Sequence, residues 1–304
     1  MENERQFRTK ATDIENVLPA ISTWPREKLR RYRYTDLEGE RVSLNPGDFA
    51  HLDPHPLPKP IDREGYATEE NSDRYWVSGL ADWLNVTSAI GRHLSDAEKV
   101  RLLDFGCASG RVLRHALTQP LKPTQAPAEA WGCDLAPANI DWIKKHLPSQ
   151  LNCHVNSNEP RLPFEDNLFD IVTAFSVFTH IDENEIEWLM ELKRVVRPGG
   201  ILYLTIHNDA TWSKAKDRPA TIRQFEHQNT FDDNLKVDSE LLAGPLPEER
   251  IVFRKDHEAV YNCNVWHNDA YIRRQWGQHF EILKIADNAH GNFQTPVIMR
   301  VSAQ

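Results

Sequence analysis

A small-residue segment, 102–113 (LLDFGCASGRVL), is the clearest candidate for chemistry in this chain. An apolar run, a turn of small residues and a second apolar run predict a buried strand, a tight turn and a helix. In open α/β sheets, ligands bind beyond the carboxyl ends of the strands, and glycine permits close approach to the backbone because it has no Cβ. We therefore expect Gly106 and Gly110 to line a ligand site.

Two acidic residues accompany this turn. Asp104 precedes it, and Asp134 ends the next predicted strand. A carboxylate at that second position can accept hydrogen bonds from both hydroxyls of an adenosine ribose, which dinucleotides and S-adenosylmethionine share. A pyrophosphate favours GxGxxG leading into a helix, whereas this chain has GxAxG, with Ala108 in the middle. The turn thus favours S-adenosylmethionine over a dinucleotide.

The elements that must position these residues alternate between strand and helix patterns, which is typical of a mostly parallel sheet covered on both faces. The predicted strands are 100–105, 129–134, 151–155, 169–175 and 201–206, and the helices between them centre on 111–118, 138–147 and 184–196. A helix at 268–278 precedes two more strands, 280–286 and 296–302, which we expect to form a closing antiparallel pair at the sheet edge. The pattern predicts an α/β fold with a seven-stranded, mostly parallel sheet and an antiparallel edge strand.

The rest of the chain is predicted to form a cap and an insertion. Residues 1–72 are rich in proline and show little periodicity, so we expect an N-terminal arm or cap. Helical spacing of apolar residues begins at 73 and opens the main domain, 73–304. Within that domain we distinguish core motifs (100–208), a polar, irregular insertion after the fifth strand (209–262) and a closing helix and strands (263–304).

These motifs resemble those of the class I S-adenosylmethionine-dependent methyltransferases. Residues 104–110 (DFGCASG) are similar to that family's acidic residue and GxGxG, with Ala108 replacing the middle glycine. Residues 162–172 (LPFEDNLFDIV) resemble its fourth-strand motif, and 192–200 (LKRVVRPGG) its entry to the fifth strand. The closing segment, 266–300, is similar to a bacterial subgroup that acts on small molecules.

The resemblance implies a Rossmann-like fold that binds S-adenosylmethionine across the strand ends and releases S-adenosylhomocysteine. Gly106, Ala108 and Gly110 would lie near the methionine part of the cofactor, after the acidic residue Asp104. Asp134 would bind the ribose.

The same resemblance assigns residues after the next three strands. Leu135 would contact the adenine, and Asn156 or Asn158 would hydrogen-bond its edge. Phe175 and Ser176 would face the sulfonium, whose positive charge suits an aromatic face or a backbone carbonyl.

Histidines and tryptophans are the candidates for a methyl-acceptor site. Transfer is an in-line displacement in a closed, dry site, and an oxygen acceptor usually also needs a base. His207, at the end of the fifth strand, is the first choice for a base or orienting group, with a backbone-bonded loop histidine as the alternative. For His180 a structural role beside Asp182 is favoured over catalysis. Trp76 and Trp212 are expected to wall the pocket.

Composition limits the partners. A formal net charge of −9 and the lack of a long basic block argue against nucleic acid, and no apolar run is long enough to span a bilayer. The four cysteines lack zinc or redox spacing, the carboxylates and histidines lack metal-ligand spacing, and the N-terminal residues lack a secretory pattern. We therefore expect a cytoplasmic enzyme with a small-molecule substrate, no metal and no membrane partner, and the proline-rich arm is a candidate homodimer contact.

Several alternatives stay open from the residues alone. A nicotinamide-dependent oxidoreductase is disfavoured by the turn, whereas a non-catalytic S-adenosylmethionine-binding sensor would need the same cofactor residues. A protein acceptor is the second choice after a small molecule. The methylated atom could be oxygen, nitrogen or sulfur, the last in a thioether amino acid such as methionine.

Overall fold

The computed structural model describes residues 17–64, 66–94, 100–118, 129–216, 241, 244–254 and 263–302. Its strands are β1 (Tyr32–Thr35), β2 (Arg41–Leu44), β3 (Arg101–Phe105), β4 (Glu129–Asp134), β5 (Asn152–Val155), β6 (Phe169–Ala174), β7 (Val196–Ile206), β8 (Arg250–Arg254), β9 (Cys263–His267), β10 (Glu281–Ile285) and β11 (Thr295–Arg300). Its helices are α1 (Ser72–His93), α2 (Leu113–Ala116), α3 (Pro137–His146), α4 (Glu185–Val195), α5 (Asp209–Lys216) and α6 (Asp269–Gln275).

Seven strands form the central sheet in the order β10-β11-β7-β6-β3-β4-β5. The five strands from β3 to β7 run parallel, and β11 runs antiparallel to both of its neighbours. The predicted Rossmann-like, mostly parallel sheet with a closing antiparallel pair is therefore confirmed. The antiparallel strand β11 is the second strand from the edge of the sheet, and β10 is the edge strand.

Alternate residues of each strand point to opposite faces of this sheet, and helices cover both faces. Tyr203 of β7 belongs to the apolar cluster that α1, α2 and α3 cover. Its neighbour Leu202 belongs to the cluster on the other face, under α4 and α6. Trp83 of α1, predicted to lie in the core, is fully buried in the first cluster.

The start of β7 and the length of α2 differ from the sequence prediction. Strand β7 begins at Val196 and not at 201, because Val196 already pairs with Phe169 of β6. The register then shifts before Ile201 pairs with Ile171, and Gly199, at φ +77°, lies in this irregular stretch. Helix α2 is a single turn, whereas the pattern predicted 111–118. The small-residue turn continues to residue 112, so the helix starts late.

The cap, residues 17–71 of the described chain, packs on the first half of α1. Its apolar side chains form one cluster with Tyr75 and Trp76. A buried ion pair joins the cap to α2, since the Arg114 guanidinium donates to both carboxylate oxygens of Asp53 at 2.7 and 3.2 Å. The cap also reaches the small-residue turn, where the Ser109 hydroxyl donates to the Asp62 carbonyl at 2.7 Å.

The insertion contributes ordered structure as well as loops. Helix α5 follows β7, and β8 pairs antiparallel with β9. Their apolar side chains, with Trp212 and Trp266 among them, form a separate cluster beside the end of β7. The prediction of an irregular insertion is therefore wrong for α5 and β8, while 217–240, 242–243 and 255–262 lie outside the described residues.

Candidate functional site

The turn after β3 is built from left-handed backbone. Gly106, Ala108 and Gly110 have φ angles of +74°, +46° and +79°. The amides of Gly106 and Cys107 both donate to the Cys133 carbonyl of β4, at 2.8 and 3.0 Å, which ties the turn to the neighbouring strand end. A Cβ on Gly106 would lie 2.4 Å from the Val177 side chain. Glycine is required there for space as well as for conformation.

Asp134, at the end of β4, connects this turn to α3. One carboxylate oxygen accepts from the Ala108 amide at 2.8 Å. The other accepts from the Ala136 amide at 2.9 Å and from the Asn139 side chain at 3.1 Å. Burial raises the pKa of Asp134, although these three donors oppose that shift. The carboxylate is thus fixed at the carboxyl edge of the sheet, beside the turn.

Asp104 is a buried acid on β3, and its charge is poorly compensated. Its carboxylate accepts from the Thr173 hydroxyl at 2.8 Å. Burial raises its pKa to about 7, with the nearby carboxylates of Asp134 and Asp82 adding to the shift and Thr173 and Arg111 opposing it. A cationic group bound beside Asp104 would favour its ionised form.

The predicted adenine contacts follow β4 and β5. The Asn156 amide donates to the Asp134 carbonyl at 3.1 Å, so the ends of these strands meet. The side-chain oxygen of Asn156 is buried and makes no hydrogen bond within the described residues. Leu135 is partly buried and Asn158 is exposed. Asn156 therefore has a free acceptor atom at this edge, which suits the amino group of an adenine.

Phe175 and Ser176 follow β6 at the same edge. Ser176 has a φ of +59°, and its amide donates to the Thr205 hydroxyl of β7 at 2.7 Å. The Phe175 ring is almost buried, with its centroid 5.6 Å from Tyr203 and 5.3 Å from His290. The carboxyl ends of β3, β4, β5 and β6 thus bring the predicted cofactor residues to one edge of the sheet.

His207, the first candidate for a base, is almost buried at the end of β7. Its ring lies on Trp266, with centroids 4.5 Å apart, and its Nε2 lies 3.2 Å from the side-chain nitrogen of Gln294. Burial lowers the pKa of His207 to about 3, and the neighbouring histidines add to that shift. Such an imidazole stays neutral and accepts a proton poorly.

His180 lies after β6, close to β9. Its Nδ1 is 2.6 Å from the Cys263 carbonyl. Asp182, the residue expected to hold it, lies 3.6 Å from the Arg250 guanidinium. These contacts give His180 a role in joining the β6 loop to β9.

The two tryptophans predicted to wall a pocket are both buried in apolar clusters. The Trp76 indole N–H donates to Asp53 at 2.7 Å, beneath the cap. The Trp212 indole N–H donates to the Gly244 carbonyl at 3.2 Å, and its ring packs against Trp266. Trp76 packs in the apolar cluster of the cap and Trp212 in that of the insertion, so neither residue belongs to the proposed site.

Five polar residues that the sequence did not single out meet at this edge. Tyr66 comes from the cap, Asp82 from α1, Arg111 from the turn, and His290 and Gln294 from the loop between β10 and β11. The sequence prediction did allow His290 and Gln294 to be placed at this edge. Because β10 must run parallel to β7 if β10 and β11 form a closing hairpin, their connecting loop has to lie at the carboxyl edge.

A membrane-spanning helix and a metal-binding cluster are both absent from the described residues. No helix there is long and apolar enough to cross a membrane. No group of three or more histidine, cysteine, aspartate or glutamate side chains in the same part of the chain is placed to bind a metal ion.

Comparison with known proteins agrees with this geometry. Residues 103–204, about a third of the chain, match the family described as the methyltransferase domain. The seven-stranded sheet, the turn and this match define a Rossmann-like methyltransferase domain, the class whose methyl donor is S-adenosylmethionine.

Individual relatives are distant. The biotin biosynthesis bifunctional protein BioHC of Teredinibacter turnerae is 25% identical over 171 residues, which cover 55% of this chain and 29% of that protein. The tRNA N(3)-methylcytidine methyltransferase trm141 of Schizosaccharomyces pombe is 29% identical over 166 residues, 47% of this chain and 56% of that protein. The chain therefore spans less than two thirds of the length of these curated relatives.

Among solved structures, the PH0226 protein of Pyrococcus horikoshii OT3 superposes with a TM-score of 0.48 at 17% sequence identity. The superposition covers 80% of this chain and 96% of the other.

Proposed function

We propose that this chain transfers a methyl group from S-adenosylmethionine to a small-molecule acceptor. The observation that carries the proposal is the convergence of the small-residue turn, Asp104 and Asp134 at the carboxyl ends of adjacent parallel strands, inside the segment that matches a methyltransferase domain. Ligands of open α/β sheets bind at that edge.

The residues at this edge fit the cofactor. Asp104 is a buried acid without full charge compensation, which suits a ligand that carries an ammonium and a sulfonium. The free side-chain oxygen of Asn156 suits the adenine amino group. Asp134 would hold the ribose, Leu135 the adenine face, and the 106–110 turn the methionine part. When bound, the cofactor supplies an activated methyl group.

The chain itself orients the acceptor and excludes water. The cap covers α1 and contacts the turn through Ser109, while the insertion packs against the end of β7 through Trp266. Both lie beside the edge where Phe175 and Ser176 follow β6. An in-line displacement depends mainly on such positioning in a dry enclosure.

A small acceptor is favoured by charge and by size. The net charge of −9 repels a phosphate backbone, and the elements around the site are a short cap and an insertion that can enclose a small ligand. Of the relatives reported above, trm141 has an acceptor in its name, tRNA, and BioHC has none, so they support the reaction more than the acceptor. The second candidates are a protein acceptor and a sensor that binds the cofactor without turnover.

Methyl transfer can be tested with S-adenosylmethionine labelled in its methyl group. Purified protein is incubated with three separate fractions: small metabolites freed of macromolecules, denatured proteins, and tRNA. The proposal expects release of S-adenosylhomocysteine and labelled product with the small-metabolite fraction, and loss of both in Asp134→Asn. Release only with proteins or tRNA would contradict the small-molecule acceptor, and binding without any release would favour the sensor.

A further inference from the structure

Arg111 is a buried arginine with one guanidinium nitrogen that has no partner. Its Nη1 donates to the Asp82 carboxylate of α1 at 2.6 Å and to the Ser78 hydroxyl at 3.3 Å. Its Nη2 is also buried and makes no hydrogen bond within the described part of the chain. The residue as a whole is 4% exposed. Because a guanidinium keeps its charge in a folded protein, Nη2 presents charged N–H donors without an acceptor.

An unpaired charged donor is costly inside a protein, because its hydration is lost and no hydrogen bond replaces it. Buried polar groups are normally satisfied by another protein group, by ordered water or by a ligand. The Nη2 atom of Arg111 therefore marks a place where an acceptor, and above all an anionic one, would be stabilised.

Arg111 lies at the carboxyl edge of the sheet, between the small-residue turn and the end of β6. It directly follows Gly110, the last of the left-handed residues of the turn. Its guanidinium carbon is 5.7 Å from the centroid of the Phe175 ring, which follows β6. In the proposed function the turn holds the methionine part of the cofactor and Phe175 faces the sulfonium. A group between them is next to the methionine chain.

The methionine part carries three charged groups, and only its carboxylate is an anion. Guanidinium and carboxylate groups form short, charge-assisted hydrogen bonds. Burial raises the pKa of Asp104 to about 7, and Arg111 is one of the groups whose charge opposes this shift, so the two side chains share one electrostatic environment. Asp104 thus suits the ammonium and the sulfonium, and Arg111 suits the carboxylate.

We propose that Arg111 Nη2 binds the carboxylate of the methionine part and so distinguishes S-adenosylmethionine from adenosine ligands that lack this group. This inference rests on the proposed function and deepens it, because it names the residue and the ligand group that determine cofactor specificity. Asp82 and Ser78 occupy Nη1, which leaves Nη2 for the ligand.

Contacts on two sides hold the guanidinium in place. The Asp82 carboxylate that accepts from Nη1 also lies 2.9 Å from His290 Nδ1. The Tyr66 ring of the cap covers one face, with its centroid 4.1 Å from the guanidinium carbon. The Tyr66 hydroxyl in turn lies 2.8 Å from the Ser176 hydroxyl and 3.2 Å from His290 Nε2. Arg111 is therefore oriented before any ligand binds.

The cap controls access to Nη2. Tyr66 is partly exposed, whereas Arg111 beneath it is buried. A carboxylate that reaches Nη2 from the carboxyl edge therefore has to move the Tyr66 ring aside. The bound methionine part would then lie beneath the cap.

A second buried arginine, Arg114 of α2, provides a comparison. Its Nη1 also has no partner among the residues that the structure describes. Its other nitrogens donate to the carboxylate of Asp53 and to the carbonyls of His55 and Pro56. All of these partners belong to the cap, and none is a residue of the proposed cofactor site. We therefore expect Arg114 to make no contact with the cofactor.

The test compares S-adenosylmethionine with decarboxylated S-adenosylmethionine, which keeps the adenosine, the sulfonium and the amino group. Calorimetric titration of the wild-type protein should show at least tenfold tighter binding of the carboxylated ligand, since the other cannot form the charge-assisted hydrogen bond. We call this quotient of the two affinities the carboxylate ratio.

Arg111→Lys is the sharpest variant because it keeps the positive charge. The single nitrogen of lysine is expected to stay with Asp82, and the second nitrogen of the guanidinium is lost. The carboxylate ratio should therefore fall by about tenfold, while affinity for the decarboxylated ligand stays within about threefold of wild type. Arg111→Gln, which removes the charge as well, should bind the two ligands almost equally. Arg114→Lys is the matched control and should keep the wild-type ratio.

The outcomes separate this inference from the proposed function. A wild-type protein that binds both ligands equally, or a wild-type ratio in both Arg111 variants, would overturn the role of Arg111 and leave the proposed function standing. An equal fall of the ratio in Arg114→Lys and Arg111→Lys would also overturn it, because the effect would not depend on the position of Arg111. A wild-type protein that binds neither ligand would overturn the proposed function itself.

Discussion

Gly79 of α1 lies against the backbone of Arg111, so closely that a Cβ at residue 79 would be 2.1 Å from the Arg111 carbonyl oxygen. This contact sets the distance between α1 and the small-residue turn. The same two elements are joined by the Arg111–Asp82 ion pair, with an N–O distance of 2.6 Å. The backbone contact at Gly79 thus determines where Asp82 meets its partners.

A methyl group at this contact should be costly. We expect Gly79→Ala to lower the free energy of unfolding by about 1–3 kcal/mol, the usual cost of overpacking, or more because the clash is with backbone. The measurement is urea unfolding followed by circular dichroism.

Gly91→Ala is the matched control on the same helix. Nothing lies within 4 Å of a Cβ at residue 91, so this change should stabilise the protein by up to about 1 kcal/mol through helix propensity. Equal effects of the two substitutions would show that the close contact is absent in solution.

Cofactor binding should be coupled to a proton on Asp104. Its pKa of about 7 means that the free protein holds a proton there in mildly acidic solution, and a cationic ligand favours the ionised form. Affinity for S-adenosylmethionine should therefore rise with pH up to about 7, by at most about tenfold per pH unit, and level off above it. Calorimetric titrations across that range measure this dependence.

Asp104→Asn should flatten the dependence, because the titrating group is gone. Asp141→Asn, which changes an exposed acid on α3, should keep the wild-type profile. The titration of the cofactor itself is common to all three proteins. An unchanged slope in Asp104→Asn would assign the coupling to another group.

Acid stability should depend on His115. Burial lowers its pKa to about 3, from 6.5 in the unfolded chain, and its Nε2 is 3.0 Å from the Trp76 carbonyl. Below pH 6.5 this histidine is therefore protonated in the unfolded chain but not in the folded protein. The free energy of unfolding falls as pH falls from 6.5 towards 3. This group contributes up to about 1.4 kcal/mol per pH unit to that fall.

His115→Gln should reduce the slope, since an amide can still donate to the Trp76 carbonyl without titrating. Thermal unfolding at a series of acidic pH values gives the slope for each protein. His51→Gln, at an exposed position, is the control. The proposal for His115 fails when both variants show the wild-type slope.

The parallel core could be predicted because its signals are local. Strand β4 is found at the predicted residues, and the strands next to it differ by one residue at an end. Hydrophobic runs separated by turns carry this information along the chain. The position of Asp134 beside the turn follows directly from the parallel pairing of β3 with β4.

The hydrogen bonds that connect Asp82 to Tyr66 through His290 could not be predicted, because they depend on packing between distant segments. Tyr66 and Ser176 are 110 positions apart, and Asp82 and His290 are 208 apart. Asp82 lies in a helix whose apolar stripe predicts burial of a face but says nothing about which partner a buried acid meets. His207 was chosen from its position at a strand end, and only the structure shows how burial weakens it as a base.

S-adenosylmethionine should bind at the edge formed by the 106–110 turn and Asp134. Calorimetric titration of wild-type protein, Asp134→Asn and Asp141→Asn measures this binding, with circular dichroism to show that each protein is folded. Wild-type protein and Asp141→Asn should bind the cofactor, and Asp134→Asn should bind it at least tenfold more weakly, since the ribose hydroxyls lose a charged acceptor. Equal affinity in all three folded proteins, or no binding by the wild-type protein, would rule out this site.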